Sequence, residues 1–285
     1  MRIAVIGATG VLGRAVVPRL VAKQHRVLAI SPHPDKASAL YGSAVETALG
    51  DLTDPEAERQ FAILLKGNDA VLNIATAIPK HSDLGTTAAW AKSDAIRKAG
   101  TPRLLKATLS TGVKTFVQQS ITMAYPDSGD RWISEDTAVT SADIIEMEAA
   151  LRAVPADRLR WTILRGASFV GAGTFQDDTI RALKAREVSV GCGGQRYQSY
   201  VHVNDMAEAV VLAAEKSLAN GVFNICAEPL RESDYLRKLA LLTGAEAPGN
   251  DPKASCPPSQ RCSNLAAAEV LGWHPKYNIF PPGIE

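Results

Sequence analysis

Three evenly spaced glycines follow the first apolar run of the chain. Residues 3–6 lead into Gly7-Ala8-Thr9-Gly10-Val11-Leu12-Gly13. A short apolar strand that ends in glycines and continues into a helical pattern presents free backbone N–H groups at the helix N-terminus, where the helix dipole favours a phosphate. Gly7 would allow the tight turn, Gly10 the approach of a pyrophosphate, and Gly13 close packing of the helix on the sheet. The alternative is a strand-to-helix turn without a ligand.

The elements that must position this turn alternate regularly. Apolar runs and helical patterns follow one another about five times in the first 120 residues. This alternation predicts an α/β fold, a Rossmann-type doubly wound parallel sheet that binds its ligand at the carboxyl ends of the strands.

Residues after the second and fourth strands are therefore candidates for cofactor contact. An acid after the second strand would select NAD and an arginine would select NADP, but the chain has neither at that place. Ser31, His33 and Lys36 could together meet a 2′-phosphate, which favours NADP over NAD. A solvated turn is the alternative for His33 and Lys36. After the fourth strand, Ile74, Ala75 and Thr76 are expected beside the ribose and nicotinamide.

Composition narrows the class of partner. The 285 residues carry 31 basic and 30 acidic side chains, a net charge of +1, and 46% are hydrophobic. Scattered charges of balanced sign argue against nucleic acid and against a membrane surface. No apolar run approaches the roughly 18 residues that span a bilayer. We expect a cytoplasmic protein with a small-molecule substrate, and a homodimer is possible.

The four cysteines have no metal-ligand spacing, so no metal site is predicted. They are Cys192, Cys226, Cys256 and Cys262. Cys256 and Cys262 flank a proline-rich turn and could in principle be bridged, but reduced thiols are expected in a cytosolic protein. Cys192 is expected to be a small residue in a glycine turn.

The glycine spacing and the last segment resemble one superfamily. GxxGxxG with Ala8-Thr9 inside it, and the ending Leu271-Gly272-Trp273-His274-Pro275, resemble extended and atypical short-chain dehydrogenases/reductases, the relatives of nucleoside-diphosphate-sugar epimerases. The resemblance spans essentially the whole chain. It implies an NAD(P)-binding Rossmann domain at 1–165 and 197–226, and a small C-terminal substrate-binding lobe at 166–196 and 227–285.

The same resemblance implies further cofactor contacts. Asp51, followed by Leu52, matches the aspartate that accepts a hydrogen bond from the adenine amino group in that superfamily. Arg165-Gly166 resembles the turn that meets the nicotinamide.

Catalysis in this superfamily uses a strand-end serine and a tyrosine four residues before a lysine. Ser120 matches the serine, but residues 140–152, which align with the catalytic helix, contain neither tyrosine nor lysine. Tyr125 is the nearest substitute as a proton donor, with pocket lining or loop packing as its alternative role. Glu146 and Glu148 are expected on the exposed face of that helix, although a carboxylate there could replace the missing group.

Two functions remain open from the sequence. One is an NAD(P)-dependent oxidoreductase or epimerase/dehydratase-like enzyme in which Ser120 and Tyr125 are catalytic. The other is a non-catalytic NAD(P)-binding sensor or regulatory protein.

Overall fold

The structure is a computed structural model that describes residues 1–79, 83, 86–216, 220–281 and 283–284. The chain divides into two compact units. Unit 1 comprises Met1–Ser120, Ser141–Leu164 and Ala207–Phe223, and unit 2 comprises Ile121–Thr140, Arg165–Met206 and Asn224–Glu285.

The central sheet has seven strands. They are β1 (Arg2–Ile6), β2 (Arg26–Ser31), β3 (Glu46–Leu49), β4 (Ala70–Asn73), β5 (Thr115–Ile121), β7 (Arg160–Gly166) and β11 (Gly221–Ile225). Their order is β11-β7-β5-β4-β1-β2-β3. β1 pairs in parallel with β2 on one side and with β4 on the other. In the same way, β2 pairs in parallel with β3, and β4 pairs in parallel with β5. The predicted doubly wound parallel sheet is therefore confirmed.

Helices connect these strands. They are α1 (Val11–Ala22), α2 (Pro34–Tyr41), α3 (Ala57–Leu64), α4 (Ala91–Ala95), α5 (Thr101–Thr111), α6 (Ala142–Arg152) and α8 (Val203–Glu215). A π-helical turn, Ile96–Gly100, joins α4 to α5. The core of unit 1 includes Phe61, Leu104, Phe116 and Ile163, all without exposed surface. Strands that are buried on both faces consist of continuous apolar runs. The sequence alone could therefore predict these strands.

The described residues of unit 2 form short paired strands, two α-helices and short helical turns, among them a π-helical turn at Ala267–Leu271. The paired strands are β6 (Trp132–Ile133) with β13 (Arg261–Cys262), β8 (Ser168–Val170) with β10 (Tyr200–His202), and β9 (Tyr197–Gln198) with β12 (Leu230–Arg231). The helices are α7 (Phe175–Lys184) and α9 (Glu232–Thr243). The ring of Tyr200 stacks on that of Tyr235 with centroids 4.1 Å apart. Unit 2 contains residues 121–140, 165, 197–206 and 224–226, which the sequence analysis expected in the Rossmann domain. The predicted bounds of the two functional domains stay a prediction.

A disulfide in unit 2 corrects the expectation of reduced thiols. Cys192 and Cys256 are bonded, and only Cys226 and Cys262 are free among the four cysteines. Neighbouring backbone bonds align the two segments, because Val190 N–H donates to Gly249 C=O and Asp251 N–H donates to Val190 C=O. Cys192, which was expected to be only a small residue in a glycine turn, therefore forms a disulfide. Cys256 is bonded to Cys192 and not to Cys262.

Candidate functional site

The glycine turn after β1 has two glycines that the fold itself requires. Gly7 has a φ of +90°, and a Cβ on it would lie 2.7 Å from the backbone of Ala75. A Cβ on Gly13 would lie 2.4 Å from the carbonyl oxygens of Gly7 and Ala8. The lack of a side chain at Gly13 thus lets α1 pack closely on the turn at Gly7 and Ala8. The sequence had instead suggested close packing of this helix on the sheet. Both positions would be strained by any side chain.

Gly10 differs from its two neighbours in the motif. Its φ of −74° and ψ of 177° suit any residue, and the nearest atom to a Cβ there is the Gly7 carbonyl oxygen at 3.3 Å. A Cβ at Gly10 would therefore press on the Gly7 carbonyl oxygen by a few tenths of an ångström, a milder clash than at Gly7 or Gly13. A ligand that needs the backbone to approach closely would account for the glycine.

The N-terminus of α1 is suited to an anion. No side chain caps it, and no acidic residue occupies its first turn. The first amides of a helix have no intrahelical partner and carry the positive end of the helix dipole. The turn and this helix end together form a site of the kind that binds phosphate.

Ser31, at the end of β2, contacts the glycine turn through its side-chain hydroxyl. It is buried, its hydroxyl lies 3.0 Å from the Thr9 hydroxyl, and it accepts a hydrogen bond from His33 N–H. His33 and Lys36 are exposed. The predicted preference for a 2′-phosphate therefore depends on His33 and Lys36, since the Ser31 hydroxyl already has protein partners.

Asp51 follows β3 with its carboxylate held in place. Its Oδ1 accepts hydrogen bonds from the backbone N–H and the hydroxyl of Thr53 at 2.9 and 2.8 Å. Burial acts to raise the pKa of Asp51, but these hydrogen bonds together with the nearby Lys92 and His33 side chains outweigh burial, and the pKa lies below its usual value. The other oxygen, Oδ2, is not used in these bonds. Leu52 is buried against Gly100, where a Cβ would lie 2.7 Å from it.

The end of β4 brings polar groups into the interior that the sequence analysis missed. Asn73 is fully buried and donates from Nδ2 to Thr101 Oγ1 and Gln118 Oε1, while its own Oδ1 has no partner. Gln119 Oε1 is also buried without a partner. Beyond β4, Ile74 is buried, Ala75 contacts the turn at Gly7 and Thr76 is exposed. These two buried oxygens lie near the ends of β4 and β5 and have no hydrogen-bond donor in the protein. A polar ligand bound there would supply one.

Ser120 and Glu148 form a buried pair in unit 1. Ser120 Oγ donates to Glu148 Oε1 at 2.8 Å, and each residue is 2% exposed. The helix that resembles the catalytic one is α6, and it carries no tyrosine or lysine. Glu146 is exposed as expected, but the expectation was wrong for Glu148, which faces the sheet because it lies on the same side of α6 as buried Ile144 and Leu151.

Tyr125 is buried in unit 2 with both hydrogen-bonding roles filled. Its hydroxyl donates to Asn224 Oδ1 at 2.8 Å and accepts from Arg165 Nη1 at 2.6 Å. The Arg165 guanidinium also lies 4.9 Å from the Tyr125 ring centroid. Burial raises the pKa of Tyr125 well above its usual value, although the charge of Arg165 acts to lower it. These contacts agree with the packing role weighed for Tyr125.

Arg165 and Gly166 have protein contacts within unit 2. Arg165 additionally donates to the Glu135 carbonyl, and the Glu135 carboxylate accepts from Asn224 N–H at 2.7 Å. Burial raises the pKa of Glu135, against the hydrogen bond from Asn224. A Cβ on Gly166 would lie 3.1 Å from the Phe169 ring. Their contact with a nicotinamide stays a prediction.

Neither a metal-binding cluster nor a membrane-spanning helix is found in the described part of the chain. No group of three or more potential metal-ligating side chains is present among those residues. None of the helices in the described ranges is long and apolar enough to cross a membrane.

This arrangement of parallel sheet, glycine turn and uncapped helix defines a dinucleotide-binding fold. The sequence model of the NAD dependent epimerase/dehydratase family matches residues 3–226, and the chain belongs to that family. The resemblance to extended short-chain dehydrogenases/reductases is thereby confirmed, and a nicotinamide cofactor agrees with the family.

One similar protein is named as a reductase, and two similar solved structures are named as epimerases. A 3-diazoavenalumate denitrifying reductase from a Streptomyces species is 28% identical over 311 residues, covering 100% of this chain and 99% of that protein. The UDP-glucose 4-epimerase of Thermus thermophilus, solved with NAD, has a TM-score of 0.81 at 22% identity and covers 100% of this chain and 96% of its own. The UDP-glucose 4-epimerase of Thermotoga maritima, solved with UDP-glucose, has a TM-score of 0.79 at 22% identity and covers 98% and 95%. At such identities the solved structures show a shared fold alone.

Proposed function

We propose that this protein is an oxidoreductase that uses a nicotinamide dinucleotide. The observation that carries the proposal is the glycine turn that leads from β1 into the uncapped N-terminus of α1, where Gly10 is the glycine with the mildest contact for a Cβ. Membership of the epimerase/dehydratase family and full-length similarity to a protein named as a reductase support it.

The residues proposed to hold the cofactor belong to unit 1. The turn from Gly7 to Gly13 would hold the pyrophosphate, and Asp51 would accept from the adenine amino group through its unused Oδ2. Ile74, Ala75 and Thr76 would lie beside the nicotinamide ribose. The bound cofactor supplies a hydride or accepts one. NADP is proposed over NAD, because exposed His33 and Lys36 would place positive or hydrogen-bonding groups at a 2′-phosphate.

The proposed proton chemistry depends on two hydroxyl groups whose hydrogens are engaged. A hydroxyl has one hydrogen to donate. Ser120 donates it to Glu148 and Tyr125 donates it to Asn224. Either residue must exchange this partner before it can donate to a substrate oxygen. Tyr125 stays a neutral phenol near neutral pH, so it would act as a donor and not as a base.

A second candidate function is a cofactor-binding sensor without catalysis. The specific observation in its favour is that α6 lacks tyrosine and lysine while the hydroxyls of Ser120 and Tyr125 are bonded internally. Such a protein would keep the phosphate site of α1 and respond to cofactor binding alone.

Titration and turnover separate these functions. NADPH and NADH are titrated into the protein with nicotinamide fluorescence as the readout, and tighter binding of NADH would overturn the NADP preference. Consumption of the reduced cofactor is then followed with a panel of carbonyl compounds, UDP-sugars and diazo-substituted aromatic acids. Binding with turnover supports the oxidoreductase. Binding without turnover of any member, together with a protein captured only when cofactor is present, supports the sensor, and absence of binding contradicts both.

A further inference from the structure

Beside the glycine turn lies a cation that pairs with none of the described side chains. Arg14 belongs to the first turn of α1, and its backbone N–H donates to the Gly10 carbonyl at 3.0 Å. Its side chain is exposed, and its guanidinium has no hydrogen-bond or ion-pair partner among the residues that the structure describes. A guanidinium keeps its positive charge at every physiological pH. The surface next to the turn therefore carries a charge that is available to an anionic ligand.

Tyr41, the last residue of α2, shows where this charge lies relative to the turn. Its hydroxyl donates to the Ala8 carbonyl at 2.6 Å, which joins the end of α2 to the glycine turn. Burial raises the pKa of Tyr41, while the charge of Arg14 acts to lower it. Such an effect requires that the two groups are close, because the interaction of charges falls with distance. The Arg14 guanidinium therefore lies near the Tyr41 hydroxyl and, through it, near the turn at Ala8.

The end of β2 contacts the same part of the turn. The Ser31 hydroxyl lies 3.0 Å from the hydroxyl of Thr9, the residue that follows Ala8. In a dinucleotide-binding fold the pyrophosphate lies on the glycine turn, and the adenosine ribose lies beside the end of the second strand. A phosphate on the 2′-oxygen of that ribose would therefore lie close to Thr9 and within reach of the long Arg14 side chain. All of these residues belong to unit 1.

Two other cations at this end of the sheet face a carboxylate. Burial raises the pKa of Asp51, and the hydrogen bonds from Thr53 together with the charges of Lys92 and His33 lower it. The positive charge of Lys92 and His33 is therefore directed in part to Asp51. Arg14 has no such competitor in its own turn, because the first turn of α1 contains no acidic residue. Guanidinium–phosphate hydrogen bonds are strong, so Arg14 is the better candidate for binding a phosphate dianion.

We propose that Arg14 determines the preference of the cofactor site for a dinucleotide with a 2′-phosphate. Its guanidinium binds the phosphate on the adenosine ribose of NADP. It thereby supplies, from α1, the charge of the arginine that the chain lacks after β2. This role rests on the proposed function, because Arg14 would belong to the same cofactor site, and it requires no substrate and no turnover.

Calorimetric titration with two pairs of nucleotides isolates the contribution of the 2′-phosphate. One pair is NADP⁺ and NAD⁺, and the other is adenosine 2′,5′-bisphosphate and adenosine 5′-monophosphate; the members of each pair differ in that phosphate alone. We expect the wild-type protein to bind the 2′-phosphorylated member of each pair about tenfold or more tightly, which corresponds to about 1.4 kcal/mol. Because the contact joins two exposed charges, the difference should shrink as the salt concentration is raised.

Substitution of Arg14 should remove this preference and leave the rest of the site intact. In R14Q the Kd values of NADP⁺ and the bisphosphate should rise about tenfold, while those of NAD⁺ and the monophosphate change by less than about twofold. R14K keeps the charge without the planar fork of donors and should give an intermediate preference. R59Q is the matched control, because Arg59 is an exposed arginine of α3 and its loss changes the net charge equally. It should leave all four Kd values unchanged, and thermal unfolding checks that each variant is folded.

Three results would overturn the role of Arg14 and leave the proposed dinucleotide site standing. One is an R14Q protein that keeps the full preference for the 2′-phosphate. A second is an equal loss of affinity for all four ligands in R14Q, which would assign Arg14 to the pyrophosphate or to support of the turn. The third is a wild-type protein that binds NAD⁺ at least as tightly as NADP⁺. Absence of binding of all four ligands would instead contradict the proposed function itself, and the role of Arg14 with it.

Discussion

Ser120 donates its hydroxyl hydrogen to Glu148 across 2.8 Å, in a place where neither side chain is appreciably exposed. The bond joins the end of β5 to α6, the helix in which the superfamily resemblance led us to expect a tyrosine and a lysine. A buried carboxylate needs such donors, because burial without them costs several kcal/mol. Arg152 Nη2, 3.4 Å from Glu148 Oε2, is a further partner.

Substitution of Ser120 by alanine should lower stability. The change leaves a buried carboxylate oxygen without this donor, and the expected loss is about 2 kcal/mol in the free energy of unfolding, measured by urea denaturation. Ser43→Ala is the matched control, because Ser43 is exposed and should change stability by less than about 0.5 kcal/mol.

The same variant tests catalysis if a substrate is found. We expect turnover by Ser120→Ala to fall about a hundredfold or more at temperatures where the variant is folded. Unchanged turnover would remove Ser120 from the mechanism, and unchanged stability would contradict the importance of its bond to Glu148.

Alanine at Gly10 and at Gly13 should have different effects. Gly10→Ala places a Cβ 3.3 Å from the Gly7 carbonyl oxygen, a far milder contact than at Gly13. The protein should therefore remain folded while the methyl group weakens binding of NADH or NADPH by about tenfold or more, or 1.4 kcal/mol. Gly13→Ala places a Cβ 2.4 Å from two carbonyl oxygens and should lower the melting temperature.

Thermal unfolding and cofactor fluorescence, measured on both variants, check this pair. A Gly10→Ala protein that binds the reduced cofactor as tightly as the wild type would contradict the proposed phosphate site. A Gly13→Ala protein of wild-type stability would contradict the close packing of α1 on the turn.

The sequence was most informative where the fold imposes a pattern on consecutive residues. The parallel strands need apolar runs, and the turn after β1 needs Gly7 and Gly13, so both could be predicted. The burial of Glu148 could have been found from its helical spacing from Ile144 and Leu151, but its charge suggested exposure. The partners of Cys192 and Tyr125 lie 64 and 99 residues away in the sequence, at Cys256 and Asn224, and no local pattern specifies such contacts.

Alkaline pH should destabilise the protein through its buried tyrosines. Burial raises the pKa of Tyr235 to about 12, against a hydrogen bond with Gln176, and burial also raises the pKa of Tyr200 and Tyr125. Above the usual value near 10, the unfolded chain loses these protons while the folded protein keeps them, so stability falls as pH rises. Tyr235 alone should cost up to about 3 kcal/mol between pH 10 and 12.

Urea denaturation at pH 8 to 11 measures this dependence. Tyr235→Phe removes one of the protons released on unfolding, so the decline of stability with pH should be shallower than in the wild type by up to about 1.4 kcal/mol per pH unit. Equal slopes for the two proteins would show that Tyr235 ionises as readily in the folded state as in the unfolded chain. At neutral pH the variant should lose only the contribution of the bond to Gln176.

Reduction of the disulfide should loosen unit 2. The Cys192–Cys256 bond closes a segment with a sequence separation of 64, for which the loss of chain entropy in the unfolded state corresponds to a stabilisation of about 4 kcal/mol as an upper value. Both cysteines are exposed, so a reductant can reach the bond. Dithiothreitol should therefore lower the wild-type melting temperature. Cys192→Ser should melt at the reduced value with or without dithiothreitol, and a wild-type transition that reductant leaves unchanged would contradict a stabilising bond.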